Sequence, residues 1–492
     1  MPLPDLIEIV PLTQPVRADI TVPGSKSITN RALVLAALAG GETTLQGALW
    51  SEDTQVMVDC LQELGFMVNV EQDANESCNR TITVYGQGGQ VPRGGSEAQP
   101  LELFVGNAGT AARFLAAMVC LGEGVYRLHG VPRMHERPQS ALFQSLRQLG
   151  YRIDATNDKL PALIHGAGPK PGAKCTVSID ASSQFASALL LSAGIGGWQI
   201  AIAGENADES PYVVMTSELV KAFPQRGGKF QIEPDASSGS YFFASGHMEQ
   251  VGEELKGEGQ DDSGKLIFTT EFKCGWSVTV ANWPQSGWQI DASFPTSYAA
   301  LAMHSKDFLS NQEEKRATEE QLKELLGPDW QKQMDASYQK QVEEFGPITL
   351  SRSTNLGDSI MTAIVAAPLA TYPSKFTDLG RLRVQECERV VALRTELTKC
   401  GAKVIETGDT LEVFPSMLHG AEIETYNDHR MAMCFAILGL KVPGIKIKNP
   451  ACVKKTFPNF FQKLAAAPPH GLGATILDAS GRPLTHDELF AD

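Results

Sequence analysis

The sequence predicts an α/β protein of two large domains built from repeated units, and three observations predict it. Six short polar knots each open a helix rich in Ala, Leu and Met. Between the knots lie stretches such as Thr81-Ile82-Thr83-Val84-Tyr85 and Leu411-Glu412-Val413-Phe414, whose alternation marks half-buried strands. A chain of 492 residues is also too long for one ordinary core.

The first knot, Pro23-Gly24-Ser25-Lys26-Ser27, runs through Ile28-Thr29-Asn30-Arg31 into the apolar stretch 32–39. It delivers a lysine and a serine to a helix start, where unpaired N–H groups and the helix dipole favour anions. Arg31 follows Ser27 by one turn, so both can face the same side. It is not a nucleotide P-loop, because Ser25 stands where Walker A needs glycine. The other knots are Asn107-Ala108-Gly109-Thr110, Ala181-Ser182-Ser183-Gln184, Asp235-Ala236-Ser237-Ser238, Gly357-Asp358-Ser359 and Asn427-Asp428-His429-Arg430. Ser, Asp and Asn are helix-capping residues. The helices are apolar nearly all round, so they should be buried.

Self-similarity of this kind points to repeated supersecondary units. The gap from Ser237 to Asp358 is much longer than the others and predicts an insertion, placed at 303–346 where the sequence turns polar and charged. Thr318-Glu319-Glu320-Gln321 is a capping-box pattern there, and Leu322, Leu325 and Leu326 predict a short amphipathic helix. The stretch Gly252–Gly264, rich in Gly and Asp, reads as a loop. Both read as solvated surface.

Composition excludes several classes. Net charge is −15 and the isoelectric point about 5.2, which argues against nucleic acid and anionic membrane as partners. No apolar run has the length of a membrane span, and Met1-Pro2-Leu3-Pro4-Asp5 lacks a signal-peptide pattern, so a cytoplasmic protein is expected. Nine cysteines are scattered singly, as in a reducing compartment. Neither H-E-x-x-H, nor a paired Cys/His cluster, nor G-x-G-x-x-G is present, so no metal and no dinucleotide cofactor is expected. Against the acidic background, Lys26, Arg31, Arg113, Arg133, Arg389, Arg430 and Lys455 recur in or near the knots. If the knots converge, these residues line a basic cavity that focuses field on a small, multiply charged substrate.

Several motifs in order resemble the 5-enolpyruvylshikimate-3-phosphate synthase family. They are Pro23–Ser27, Gly106-Asn107-Ala108-Gly109-Thr110-Ala111, Pro132-Arg133-Met134 with Glu136-Arg137-Pro138, Ser182-Ser183-Gln184-Phe185, Asp358-Ser359, Tyr426-Asn427-Asp428-His429-Arg430-Met431-Ala432-Met433 and Lys455-Thr456-Phe457-Pro458. The resemblance implies a two-domain inside-out α/β barrel of six βαβαββ units, three per domain. It places one domain at 23–234, a second at 1–22 plus 235–465, and a C-terminal extension, a tail or small appendage, at 466–492. It implies a monomer without cofactor that joins phosphoenolpyruvate to the 5-hydroxyl of shikimate 3-phosphate, releasing phosphate by addition and elimination.

By motif position, Ser27 and Arg31 would hold the shikimate carboxylate. Ser182, Ser183, Gln184 and Tyr212 would hold the shikimate 3-phosphate and ring. Lys26, Gly109, Arg133, Gln184, Arg389, Arg430 and Lys455 would hold phosphoenolpyruvate. Lys26, Asp358 and Glu386 are the proton-transfer candidates, with Asp358 acting on the hydroxyl and Glu386 near the methylene carbon. Family members with glycine at the position of Gly109 generally admit glyphosate beside bound shikimate 3-phosphate.

The chain departs from the family in two places. Glu209-Ser210-Pro211-Tyr212 stands where Ser-x-Pro-Tyr is usual, and Arg381 and Gln385 stand where Asn and Lys are common. Gln385 would then face shikimate 3-phosphate without the usual charge. The alternatives are the enolpyruvyl transferase acting on a UDP-amino sugar, which shares the chemistry, and a non-catalytic binding protein. The latter has no need of Lys26, Asp358, Glu386, Arg389 and Arg430 together.

Overall fold

A computed structural model describes residues 3–204, 210–247, 253–260, 266–272, 277–303, 346–370 and 372–491. Except at its two ends, the proposed insertion at 303–346 lies outside the described residues, as does Glu209.

Each knot opens a helix, as its capping residues and apolar continuation dictate. They are α1 (Lys26–Leu38), α2 (Gly109–Met118), α3 (Gln184–Gly196), α4 (Ala236–His247), α5 (Ile360–Ala366) and α6 (His429–Gly439). Every residue of α2 is buried, and so is α1 from Ile28 onward. Their many Ala residues let the helices pack on one another: α1, α2 and α3 form one group, α4, α5 and α6 another.

Around each group lie sheets whose strands alternate as the sequence does. Four four-stranded sheets share one order, a parallel pair followed by two antiparallel neighbours. An example is Leu101–Phe104, Glu123–His129, Ala162–Ala167 and Arg152–Ala155. Two further sheets consist of a parallel pair alone, Lys174–Ser178 with Gln199–Ala203 and Arg17–Ile20 with Ser277–Val280. The sheets stay open and separate, with no ladder of hydrogen bonds joining one to the next, so the expected barrel does not close among the described residues. The stretch read as a loop at 252–264 is different too: Glu253–Gln260 is a strand paired antiparallel with Leu266–Phe272.

Two hydrophobic cores result. One runs from Ile28 to Ile232 and contains α1 to α3. The other joins Leu3–Val22 to Tyr241–Ala491 and contains α4 to α6. The segment beyond 466 is no loose tail. Ile476–Asp478 pairs antiparallel with Leu6–Ile9, and Leu472, Ile476, Leu489 and Ala491 are buried in the second core.

The chain passes between the cores at two adjacent segments joined by an isolated β-bridge. Gly24 bridges Pro234, Ser25 N–H donates to Glu233 O, and Asp235 N–H donates to Pro23 O. A Cβ on Gly24 would lie 1.9 Å from Gly47 O, so only glycine fits there. Beside this crossing, buried Glu76 of the first core accepts Thr21 Oγ1 at 2.9 Å, Lys463 Nζ at 2.7 Å and Asn459 Nδ2 at 2.7 Å from the second. This arrangement brings the six helix starts toward one cleft.

Candidate active site

The cleft between the cores has a volume of about 510 Å³. Its wall takes residues from all six knots or their first turns, which is why small helix-opening motifs so far apart in sequence meet. Of the residues expected from sequence, Lys26, Ser27, Arg31, Arg133, Ser182, Ser183, Gln184, Tyr212, Asp358, Gln385, Glu386, Arg389 and Arg430 line it. Thr110 and Thr456 form the wall beside Gly109 and Lys455, and Lys455 reaches the cleft residue Glu386 at 3.0 Å.

On the first core, Arg31 is 2% exposed and donates only to neutral oxygens. Nε reaches Thr216 Oγ1 at 2.7 Å, Nη1 reaches Ser27 O at 2.9 Å and Nη2 reaches Ser187 Oγ at 3.0 Å. Its guanidinium lies over the Phe114 ring, 5.2 Å from the centroid. Burial therefore pulls its pKa down to about 10, with Tyr212 opposing. Arg113 Nη1 donates to Gln184 Oε1 at 2.5 Å. The starts of α1 and α2 carry no side-chain cap, and at α3 only neutral Ser182 Oγ reaches Gln184 N, at 3.3 Å. Lys26 pairs with Asp53 at 3.1 Å, a partner the motifs did not announce.

Arg133 and Arg137 differ. Arg133 stands at the rim, its side chain 60% exposed and paired with Glu136 at 2.5 Å. Arg137 reaches inward across the start of α2, donating from Nη1 to Asn107 O at 3.0 Å. A Cβ on Gly109 would lie 2.6 Å from its Nη2. Arg137 belongs to the same motif as Arg133, the clamp expected from sequence.

On the second core, charges interlock. Asp358 Oδ1 accepts Arg352 Nη2 at 2.9 Å, and Oδ2 lies 3.4 Å from Arg430 and 3.8 Å from Arg389. Glu386 pairs with Lys455 at 3.0 Å and Arg389 at 2.9 Å. Arg389 also binds Asp428, Nε to Oδ2 at 2.7 Å, and donates to Gln385 Oε1. The Asp428 carboxylate in turn caps α6, accepting Arg430 N–H at 2.9 Å.

Burial pushes the Asp358 carboxyl up, but Arg430, Arg352 and Arg389 outweigh it and hold it well below the usual carboxylate range. Glu386 is likewise held well down, burial being outweighed chiefly by Lys455 and then Arg389. Burial works against Arg389 and Arg430, yet the carboxylates around them raise both. His429 is pushed down by burial and by Arg430, so its imidazole is neutral. Asp291, which the sequence reading missed, is buried beside the cleft. Burial and then Asp358 raise it to about 6. No group of three or more His, Cys, Asp and Glu side chains among the described residues is arranged to hold a metal. No described helix is long and apolar enough to cross a membrane.

The family model of EPSP synthase (3-phosphoshikimate 1-carboxyvinyltransferase) matches residues 10–226 and 290–464. A 3-phosphoshikimate 1-carboxyvinyltransferase of Trichormus variabilis is 34% identical over 481 residues, 93% of this chain and 98% of that protein. One from Opitutus terrae is 35% identical over 496 residues, 94% of this chain and 98% of that protein. Among solved structures, EPSP synthase from Acinetobacter baumannii superposes with a TM-score of 0.62 at 18% identity, covering 96% of this chain and all of that one. The enolpyruvyl transferase NikO from Streptomyces tendae gives 0.57 at 14% identity, covering 96% and 99%. The structural likenesses speak for the α/β fold, and the sequence match over most of the length for descent: the chain belongs to the EPSP synthase family.

Proposed function

We infer that this protein is a 3-phosphoshikimate 1-carboxyvinyltransferase, moving the enolpyruvyl group of phosphoenolpyruvate to the 5-hydroxyl of shikimate 3-phosphate in aromatic amino acid biosynthesis. The observation that carries the reading is the cleft itself, in which buried cations from one core face buried acid–base pairs from the other. Ser182, Ser183, Gln184 and Tyr212 hold the acceptor's phosphate and ring, and Ser27 and Arg31 its carboxylate. Lys26, Arg389, Arg430 and Lys455 hold phosphoenolpyruvate. Arg137, not the rim residue Arg133, supplies the first core's clamp, because it crosses the start of α2 beside Gly109.

In the addition step the acceptor hydroxyl gives its proton toward Asp358, its oxygen bonds to C2 of phosphoenolpyruvate, and the methylene carbon takes a proton from the Glu386 side. In elimination that carbon returns a proton and phosphate leaves with the C2–O bond pair. Glu386 is a poor acid while Lys455 and Arg389 hold it ionised. The phosphate and carboxylate of phosphoenolpyruvate compete for those same cations and so raise its pKa when the substrate arrives. The two cores close over the substrates as domains, with residues 23–234 in one and 1–22 plus 235–465 in the other. Six βαβαββ units underlie them, a reading supported by the parallel pair in each of six sheets. The enzyme acts as a cytoplasmic monomer.

A phosphate-release assay tests this. Phosphoenolpyruvate with shikimate 3-phosphate should release phosphate, and phosphoenolpyruvate with a UDP-amino sugar should not. Release with the nucleotide sugar alone selects the cell-wall reaction, and release with neither refutes both.

A further inference from the structure

Asp358 ends a short connection whose backbone and side chain are held by two different buried residues. Asp291 holds the backbone: its Oδ1 accepts Ser359 N–H at 2.6 Å. Its Oδ2 lies 2.8 Å from where a Cβ on Gly357 would stand, at a φ of +51°. Arg352 holds the side chain, donating from Nη2 to Asp358 Oδ1 at 2.9 Å with its own side chain 1% exposed. The other carboxylate oxygen is left toward Arg430 and Arg389.

The turn that presents Arg352 is itself well fixed. Ser351 Oγ accepts the Ser353 and Thr354 N–H groups, and Ser351 N–H donates to Asn355 Oδ1 at 2.8 Å. A buried guanidinium is a costly way to fill space, and an apolar side chain of similar volume generally serves a fold at least as well. Arg352 forms part of the cleft wall, so its charge is placed at the site.

We propose that Arg352 is a positioning residue for the reaction: by holding Asp358 Oδ1 it fixes the carboxylate's rotation and leaves Oδ2 as the oxygen that meets the acceptor hydroxyl. This rests on the reading of Asp358 as the group that acts on that hydroxyl. Arg389 and Arg430 cannot take over the task, since both approach Oδ2 and Arg389 is already bound to Asp428 and Glu386.

The test is a cycle of Arg352→Met and Asp358→Asn, with steady-state kinetics for both substrates. Arg352→Met should lower kcat by about tenfold or more while each KM stays within about threefold. Arg352→Lys, which keeps a charged donor, should recover most of the loss. In the Asp358→Asn background, Arg352→Met should change kcat by less than about twofold, because the residue acts through Asp358. Unchanged kcat in Arg352→Met overturns the proposal. So does a raised KM for shikimate 3-phosphate with kcat retained, which makes Arg352 a substrate clamp. An equal loss in both backgrounds also overturns it, since the role is then structural. If Asp358→Asn alone keeps the parental kcat, the reading of Asp358 fails, and that variant by itself shows it. Arg352→Gln, which keeps a donor without the charge, runs through the same cycle and decides the matter if the Met variant does not fold.

Discussion

The two faces of the cleft are both rich in arginine, yet they treat it in opposite ways. On the first core, Arg31 is buried among hydroxyls, a carbonyl and an aromatic ring, and burial lowers its pKa to about 10. On the second core, Arg389 is as deeply buried and Arg430 somewhat less so, yet both are raised, because carboxylates surround them. The helix starts repeat the contrast. No carboxylate caps α1, α2 or α3 among the described residues, whereas Asp235 accepts Ser238 N–H at α4, Asp291 accepts Ser359 N–H before α5 and Asp428 accepts Arg430 N–H at α6. One face sets Arg31 among neutral groups at helix starts that no carboxylate caps, an arrangement that favours an anionic ligand, although Lys26 there is paired with Asp53. The other is charge-balanced before any ligand arrives and holds groups able to exchange protons. An anionic acceptor suits the first face, and proton transfer suits the second.

The largest expected effect tests the second face directly. Glu386→Gln keeps shape and removes the titrating group, so turnover should fall by about 10²–10⁴-fold, the usual weight of general acid–base catalysis. Affinity for the two substrates together should change far less, as read by equilibrium binding. Near-normal turnover would shift the proton-transfer role to Lys26, on the opposite face, and break the comparison.

Next comes a matched pair. Arg389→Met strands the buried Asp428 carboxylate and leaves Glu386 with Lys455 alone, so it should cost about 3–5 kcal/mol of stability in denaturant unfolding. Arg31→Met strands no carboxylate. It should leave stability much closer to the parent and weaken shikimate 3-phosphate binding by roughly 2 kcal/mol, about thirtyfold. Equal destabilisation by the two variants would show that the faces do not differ as described.

How far the sequence carried this reading depended on the kind of signal. The knots were legible because capping residues, glycine and lysine at a helix start have local causes, and each knot did open a helix. The paired cations of the second face were only half legible. Arg430 sits in a motif and Glu386 and Arg389 stand close to the departures at Arg381 and Gln385, but Arg352 and Asp291 come from connections with no pattern, and only tertiary packing brings them to Asp358. Sequence does not separate Arg133 from Arg137, for a similar reason. Arg133 lies inside the short helix Pro132–Glu136 and Arg137 directly follows it, and which arginine turns inward depends on the start of α2, distant in sequence. The sheet added by Ile476–Asp478 was hidden too, because three residues show no periodicity and their partner is Leu6–Ile9 at the other end of the chain.

Asp291 gives the comparison a pH dependence. Its folded pKa is raised to about 6, above the ordinary value of 3.8, by burial first and by Asp358 second. A carboxyl raised on folding favours the folded state below its unfolded pKa, and that contribution is lost as pH rises through the folded pKa. Between about pH 4 and 6 the parent should therefore lose stability relative to Asp291→Asn, by an amount on the order of 3 kcal/mol. Asparagine can still accept the Ser359 N–H, so the difference isolates the charge. Thermal unfolding of both proteins across that window reads it. Parallel curves would mean that Asp291 is already balanced by a cation in the folded protein, and that burial does not raise its carboxyl.

The smallest effect concerns the first face at Gly109. A methyl group there meets Arg137 Nη2 at 2.6 Å, the mobile end of a side chain, and so displaces the guanidinium more than it disturbs α2. The displaced group loses its bond to Asn107 O and its place across the helix start. Gly109→Ala should thus raise the KM for phosphoenolpyruvate by about fivefold, roughly 1 kcal/mol, with turnover nearly unchanged. Glyphosate, which the family resemblance puts in the same site, should weaken in parallel. The decisive measurement is the same substitution in an Arg137→Ala background. If Gly109 acts through Arg137, the methyl group has nothing left to displace and the KM should not rise further. A full additional rise would mean that the methyl meets the substrate itself, and that the first face is closed by backbone and not by a cation held ready for an anion.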